Sequence, residues 1–434
     1  MKLRYHDKPK AFDAIAAGGG GTDAIRELAR SQYSKHLLLL RGVLQAAEAV
    51  GDAQARPARE GYDLLAAVQN YDPFVAEATI RYPSVGAWAQ RTLRALQANV
   101  AEPGARPAGL CAVAAAAAVR AGMAAEAEVP PIAGTVVLPS LGAAVVDGST
   151  AIVRSSVGAA DVRSAHGRVE IPPDPHHDGP GWLGLRRIHV GEFSATLDDL
   201  DPFRMPAVPG LAPRLNPREA AAWTRAIERG WRLLAANHPS VAAEVAAAIA
   251  VIVPLGGAVH GQDSSSSRET FAAIALSQPP DPYTCAVTFA HEVQHLKLCA
   301  LLDVVDLTHP DDGRRFYAPW RPDPRPIDGL LQGAYAYLGV SGFWRTERHL
   351  TAGPMRMRAN REFALWRAGV ARVIDTLQES GRLTAAGRDF VQGMSKTVSA
   401  WQHESVPAEA GAAAYRQAES HLSRWESDNW LIRA

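Results

Sequence analysis

Apolar positions recur three and four apart from residue 9 to 98, as in DAIRELARSQYSKHLLLLRGVLQAAEAV, with strong helix formers between them. That period predicts helices with one buried face. The run Gly18–Gly21 interrupts it and reads as a flexible turn. No strand precedes it, and it lacks the GxxxxGK[ST] pattern of a phosphate cradle. The stretch NVAEPGARPAG, 99–109, reads as a loop. Near residue 133 the pattern changes to short β-branched runs bounded by Gly, Pro and Asp: TVVLPSLGAAVV, TAIVRSSV, GRVEIP and IHVGEFSATLDDL. These predict strands, with PPDPHHDGPG (172–181) as a loop between them. From Pro217 the helical period returns, broken by the polar HGQDSSSSR (260–268) and the short apolar TFAAIALS, which reads as an edge strand beside the site. Further helices are predicted over 284–305, 328–349, 356–378, 383–400 and 408–427, and no internal repeat is visible.

The fold class that follows is α+β, predominantly α-helical. A helical N-terminal region (1–130) and a β-rich insert (131–215) precede a mostly helical catalytic region (216–434). Composition agrees with a packed chain: 47% of the 434 residues are apolar and 21% charged. Lys+Arg and Asp+Glu balance at 45 each, so no net field points to nucleic acid or an anionic membrane. The most apolar run, GLCAVAAAAAV (109–119), ends at Arg120 and falls short of the ~20 residues a membrane span needs. The N-terminal MKLRYHDKPKAFDAI has no apolar core of a secretory signal. Three cysteines, Cys111, Cys285 and Cys299, are an odd and sparse count with no paired spacing, which argues against a disulfide framework and suits a reducing compartment. A cytoplasmic protein outside the membrane is the expectation.

Candidate chemistry concentrates in TFAHEVQHLKL, residues 288–298, where His291, Glu292 and His295 form H-E-x-x-H. Histidines four apart on a helix point the same way, so two imidazoles can hold one metal while Glu292 reaches its surroundings. Two satisfied core histidines would show the same spacing. The interposed Glu292 and the uninterrupted helix from Tyr283 to His309 favour a metal. Leu298, Cys299 and Leu302 extend the histidine face as a buried stripe.

A third ligand has to come from elsewhere, because Leu298 and Leu301 break the HExxHxxGxxH continuation. In REFALWRAGVARVIDTL, Glu362 sits one turn before Trp366 on a stripe with Phe363, Val370, Val373, Ile374 and Leu377, so it should face inward. A buried carboxylate needs a cation or a donor. An ordinary salt bridge to an arginine satisfies that need as well as a metal does. The string NREFA also looks like the N-E-x-x-A string that supplies the glutamate ligand of gluzincin metallopeptidases, offset by one residue. His349 and His421 are rival ligands, while His176–His177 in its proline-rich loop reads as exposed.

Longer strings carry a resemblance. They are AIALSQPPDPYTCAVTFAHEVQHLKLCALLDVV, RRFYAPWRPDPRPIDGLLQGAYAYLGVSGFWR, REFALWRAGVARVIDTL and SGRLTAAGRDFVQGM, with YPSVGAWAQRTLRAL and ATLDDLDPFR upstream. Across most of 60–430 the chain resembles the HEXXH motif domain proteins, α-ketoglutarate-dependent peptide β-hydroxylases that act on ribosomally made precursor peptides. The resemblance implies a zincin-like HExxH helix that holds Fe(II) in place of Zn through His291, His295 and a third ligand such as Glu362. Open positions then remain for α-ketoglutarate and O2. Arg321 and Arg325 in YAPWRPDPRP, with Arg268 after the serine run, are candidates for the distal carboxylate of that cosubstrate, since planar bidentate recognition favours arginine. Tyr317 and Tyr335 are candidates to line the substrate pocket. Lys297 and Asp303 lie either beside the ligands or on the solvated side of the helix. Glu292 is the general base if the site is a gluzincin-type zinc peptidase; in an oxygenase it orients a ligand, binds substrate or, if the geometry differs from the peptidase arrangement, is itself a ligand. A non-catalytic peptide-binding scaffold that kept the helix is the third reading.

Overall fold

The computed structural model describes residues 8–206, 208–257 and 262–429. His260 and Gly261 of the polar stretch, and the first seven residues, lie outside them. The described chain is α+β and predominantly helical, with thirteen helices and twelve strands. Two compact units interleave along it, where the sequence reading placed three consecutive segments. One comprises the chain up to Ala29, Arg225–Ala248 and Pro279 onward; the other comprises Arg30–Thr224 and Ile249–Gln278. The reason is strand pairing: Val251–Pro254 lies parallel to both Phe193–Leu197 and Ala273–Leu276, which draws residues 249–278 into the sheet-bearing unit.

In that unit the alanine-rich run forms the helix Gly109–Ala121, with Leu110 and Ala114 through Ala118 buried. Alanine keeps its backbone close to its neighbours. A Cβ at Gly61, on the helix Asp52–Tyr71, would stand 2.5 Å from the Cys111 amide nitrogen. No described helix is long and apolar enough to cross a membrane. The five-stranded sheet runs Ser264–Ser266, Ala273–Leu276, Val251–Pro254, Phe193–Leu197, Arg186–Val190. The predicted edge strand is therefore interior: all four residues of Ala273–Leu276 are buried between paired neighbours, and the half-buried serines take the edge. The turn after Phe193–Leu197 is built on acids. Asp198 Oδ1 accepts from the amides of Leu200 (3.1 Å) and Asp201 (3.0 Å), and Tyr82 donates to Asp198 Oδ2 at 2.8 Å. Asp199 takes Arg186 and Arg214.

The helical unit is organised around the helix Pro282–Leu301. Pro282 opens it and the Asp281 side chain caps it by accepting from the Thr284 amide. The helices Ile327–Leu350, Gly353–Glu379, Ala385–Gln402 and Ala408–Asp428 follow, within a few residues of the expected limits. Gly339 lets the helix Ile327–Leu350 cross closely, since a Cβ there would meet the Ala290 carbonyl at 2.7 Å. Lys297 is not on a solvated face. It is fully buried, and its ammonium donates to the carbonyls of Gly18 (3.1 Å) and Gly19 (3.0 Å) and to Glu244 Oε2 at 2.7 Å. Those three bonds use all of its donors. Glu244 Oε1 accepts from the Gly21 amide at 2.8 Å, so the glycine run is a fixed loop, not the flexible turn its composition suggested. Gly18, Gly20 and Gly21 have positive φ, which is why the run needs glycine.

Candidate metal centre

The helix Pro282–Leu301 brings His291 and His295 together, with ring centroids 4.7 Å apart and planes at 79°. Both rings are partly exposed, whereas Glu292 between them is fully buried. Each imidazole has its Nδ1 committed. His291 Nδ1 lies 3.0 Å from Glu292 Oε1, and His295 Nδ1 lies 3.2 Å from Gln332 Oε1 on the neighbouring helix. An Nδ1–H donated to a carboxylate or amide oxygen leaves the Nε2 lone pair as the ligand position, the usual way a protein fixes the tautomer of a metal-binding histidine. Burial, and then the proximity of His291, lowers the His295 pKa and so favours the neutral ring that a metal requires. Gln332 is itself held, its amide facing Cys299 Sγ at 3.7 Å.

An aromatic wall stands beside the pair. The Tyr337 ring meets His291 edge-on at 5.5 Å, stacks on Trp320 at 4.8 Å and contacts Trp366 at 4.5 Å. Gly333 makes room for Trp320, since a Cβ there would lie 2.3 Å from the indole nitrogen. The Tyr337 phenol is pushed up to about 12 by burial, then by the charge of Glu362; Arg321 opposes the shift and Glu292 adds to it. Two carboxylates and a guanidinium thus act on the phenol that covers His291.

Trp320 and Trp366 also line a pocket of about 340 Å³, with Tyr317, Arg372, Tyr415 and His421. Tyr317 is hydrogen-bonded to His421 Nδ1 at 2.9 Å, and the Arg372 guanidinium lies over its ring at 5.2 Å. The expected pocket role of Tyr317 therefore has a pocket to refer to. Tyr335 does not share it. Its ring is fully buried and its hydroxyl donates to the Ile15 carbonyl at 2.6 Å, which makes it a core residue and corrects its assignment to substrate. Residues two apart on a helix face different ways, so the phenol that reaches the histidines is Tyr337.

The remaining candidates fall as follows. Glu362 accepts from Arg361 at 2.7 Å and from Trp366 Nε1 at 2.8 Å. Among the described residues no three His, Cys, Asp or Glu side chains are gathered closely enough to hold one ion, so Glu362 is not drawn up to the histidine pair. Arg321 and Arg325 both pair with Asp323, at 2.8 and 2.9 Å. Arg268 belongs to the sheet-bearing unit, where its carbonyl accepts from Lys35. His349 is exposed at a helix end and His421 serves Tyr317. His177 is exposed as expected, but His176 is half-buried, with Nδ1 at 2.8 Å from the Leu185 carbonyl. Sequence reasoning missed Gln332, Tyr337 and Trp320. The string LLQGAYAYLG carries two of them, and the glycines at 333 and 339 that admit their neighbours were the available signal.

The donor set fits a divalent transition metal at two positions: two oriented, neutral imidazoles serve iron and zinc alike. No protein-family model matches the chain, and no curated protein matches it.

Proposed function

We propose that the chain is a zincin-like, non-haem iron enzyme that hydroxylates side-chain Cβ positions in a ribosomally made precursor peptide, with α-ketoglutarate and O2 as cosubstrates. His291 and His295 supply two ligands, and Glu362, the proposed third, would have to leave Arg361 and Trp366 to join them. The metal and cosubstrate supply the oxidising chemistry: one atom of O2 enters the C–H bond and the other enters succinate as CO2 leaves. The chain's own residues position. Gln332 and Glu292 hold the imidazole tautomers, and the Tyr337–Trp320–Trp366 wall bounds the site on the His291 side. The pocket beyond that wall, with Tyr317 and Arg372, is where the peptide is proposed to lie. Arg321, released from Asp323, is the proposed partner for the cosubstrate carboxylate, because its charge reaches Tyr337.

The observation that carries the choice of reaction is Glu292. A gluzincin-type zinc peptidase needs that carboxylate against a metal-bound water as general base. Here it is fully buried and accepts from the Nδ1 of its own neighbour His291, which is an orienting position. The test is conversion of α-ketoglutarate to succinate by the purified chain, with and without Fe(II) and O2. Succinate that requires both, and is absent in His291→Ala, is expected. Peptide cleavage with bound zinc and no O2 requirement would overturn the reading in favour of the peptidase.

A further inference from the structure

The sheet-bearing unit contains a second cavity of about 340 Å³, unrelated to the histidines. It opens between the helix Pro83–Ala98, the start of the alanine-rich helix and the Asp201–Phe203 turn. Its wall is apolar, formed by the Trp88 ring, Val113, Ile132, Phe203 and several prolines. Proline has no N–H, so those stretches of wall offer carbon and carbonyl oxygen but no backbone donor. Trp88 lies against bare backbone: a Cβ at Gly109 would stand 2.4 Å from its Nε1. That buried indole N–H has no acceptor among the described residues. A buried donor left in that state is unusual in a folded protein.

Two ionisable residues border the cavity, and they differ. Asp201 is already satisfied, accepting from the Ser84 hydroxyl at 2.6 Å and from the Phe203 amide at 2.8 Å. Arg106 is exposed on the lining, and its guanidinium makes no ion pair or hydrogen bond among the described residues. An apolar chamber beside an uncommitted guanidinium selects a ligand with a hydrocarbon body and one anionic end. Size narrows it further. A cavity of about 150 Å³ takes a benzene ring, so 340 Å³ accommodates on the order of a dozen non-hydrogen atoms.

We propose that this cavity binds an apolar monocarboxylate, its body against Trp88, Val113, Ile132 and Phe203 and its carboxylate on Arg106. A medium-chain alkyl acid and the C-terminal apolar residue of a peptide share that chemistry. The Ser84 hydroxyl on the lining is spent on Asp201, and no metal-ligand cluster lies among the described residues, so the role argued is binding.

Isothermal titration of the full chain with decanoate and with N-acetyl-phenylalanine tests the proposal and separates the two sources. Saturable one-to-one binding of decanoate alone assigns an alkyl acid; binding of N-acetyl-phenylalanine alone assigns a peptide end. Arg106→Gln is expected to weaken binding about tenfold through loss of a charge-assisted hydrogen bond. It should also bring decanoate to the level of decanol. Ala112→Phe places a ring in the cavity from the helix that lines it and is expected to abolish binding, with the far-ultraviolet circular dichroism of the wild type showing that it has folded. Binding of neither acid, or binding that both variants leave unchanged, would overturn the proposal.

Discussion

Lys297 lies two residues past His295 and ties the histidine-bearing helix to the glycine loop, so its removal tests how that helix is held. In Lys297→Met the side chain keeps most of its bulk and loses its charge. Glu244, whose side chain is 6% exposed, would then be a buried anion without its cation. Breaking such a pair costs about 3–5 kcal/mol. Because Glu244 keeps the Gly21 amide at 2.8 Å, the lower end applies. The expected loss is about 3 kcal/mol, or roughly 100-fold in the folded-to-unfolded ratio. The second variant in the cycle, Lys297→Met with Glu244→Leu, removes both charges and should regain much of that loss. A deficit of about 1–2 kcal/mol should remain, because the Gly19 carbonyl and the Gly21 amide lose their partners, while the Gly18 carbonyl keeps the Gln294 amide at 2.9 Å. Urea titrations of the wild type, both single variants and the double measure the coupling directly. A single variant within about 0.5 kcal/mol of wild type, or a double variant that loses the sum of the singles, would refute the reasoning. Hydrogen exchange should show the amides of residues 18–21 opening faster in Lys297→Met.

Three further outcomes follow from the site and the sheet-bearing unit. Gln332→Leu removes the acceptor of His295 Nδ1 and should weaken Co(II) or Fe(II) binding by about 10–100-fold without lowering stability comparably, as read by metal titration beside a melt. Glu292→Gln keeps an oxygen for His291 Nδ1, so succinate formation should survive within about tenfold; a general base of metal-bound water would instead lose about 100-fold or more. Asp201, held at about 7 by burial and by Asp198 against an ordinary 3.8, keeps its proton in the fold where the unfolded chain has released it. Stability should therefore fall as pH rises from about 4 to about 7 and then level off. Asp201→Asn should flatten that slope in denaturation midpoints taken across the range, and an unchanged slope would show that other groups dominate.

Helices were the most legible part of this chain, because stripes such as Phe363, Val370, Val373 and Leu377 state their buried face directly. The zone of β structure was legible too, but not its pairing. Nothing local in TFAAIALS says that the serines before it would cover its edge, or that residues 249–278 would join a sheet begun at Arg186. The histidine pair followed from helical spacing alone. Its partners did not: Gln332 and Tyr337 reach His295 and His291 because Gly339 permits one particular crossing of two helices, a property of tertiary packing. Lys297 was left open between two placements for a related reason. A lysine on a helix is ordinarily solvated, and only the distant pair of Glu244 and the glycine carbonyls makes burial tolerable.

The central claim is that His291 and His295 hold an iron that takes α-ketoglutarate. Anaerobic reconstitution with Fe(II) and α-ketoglutarate, followed by the visible spectrum, tests it most directly. The account predicts a weak metal-to-ligand charge-transfer band that bleaches on exposure to O2 and is absent in His291→Ala. No band, with one tightly held zinc in its place, would contradict it and return Glu292 to the role of a peptidase base.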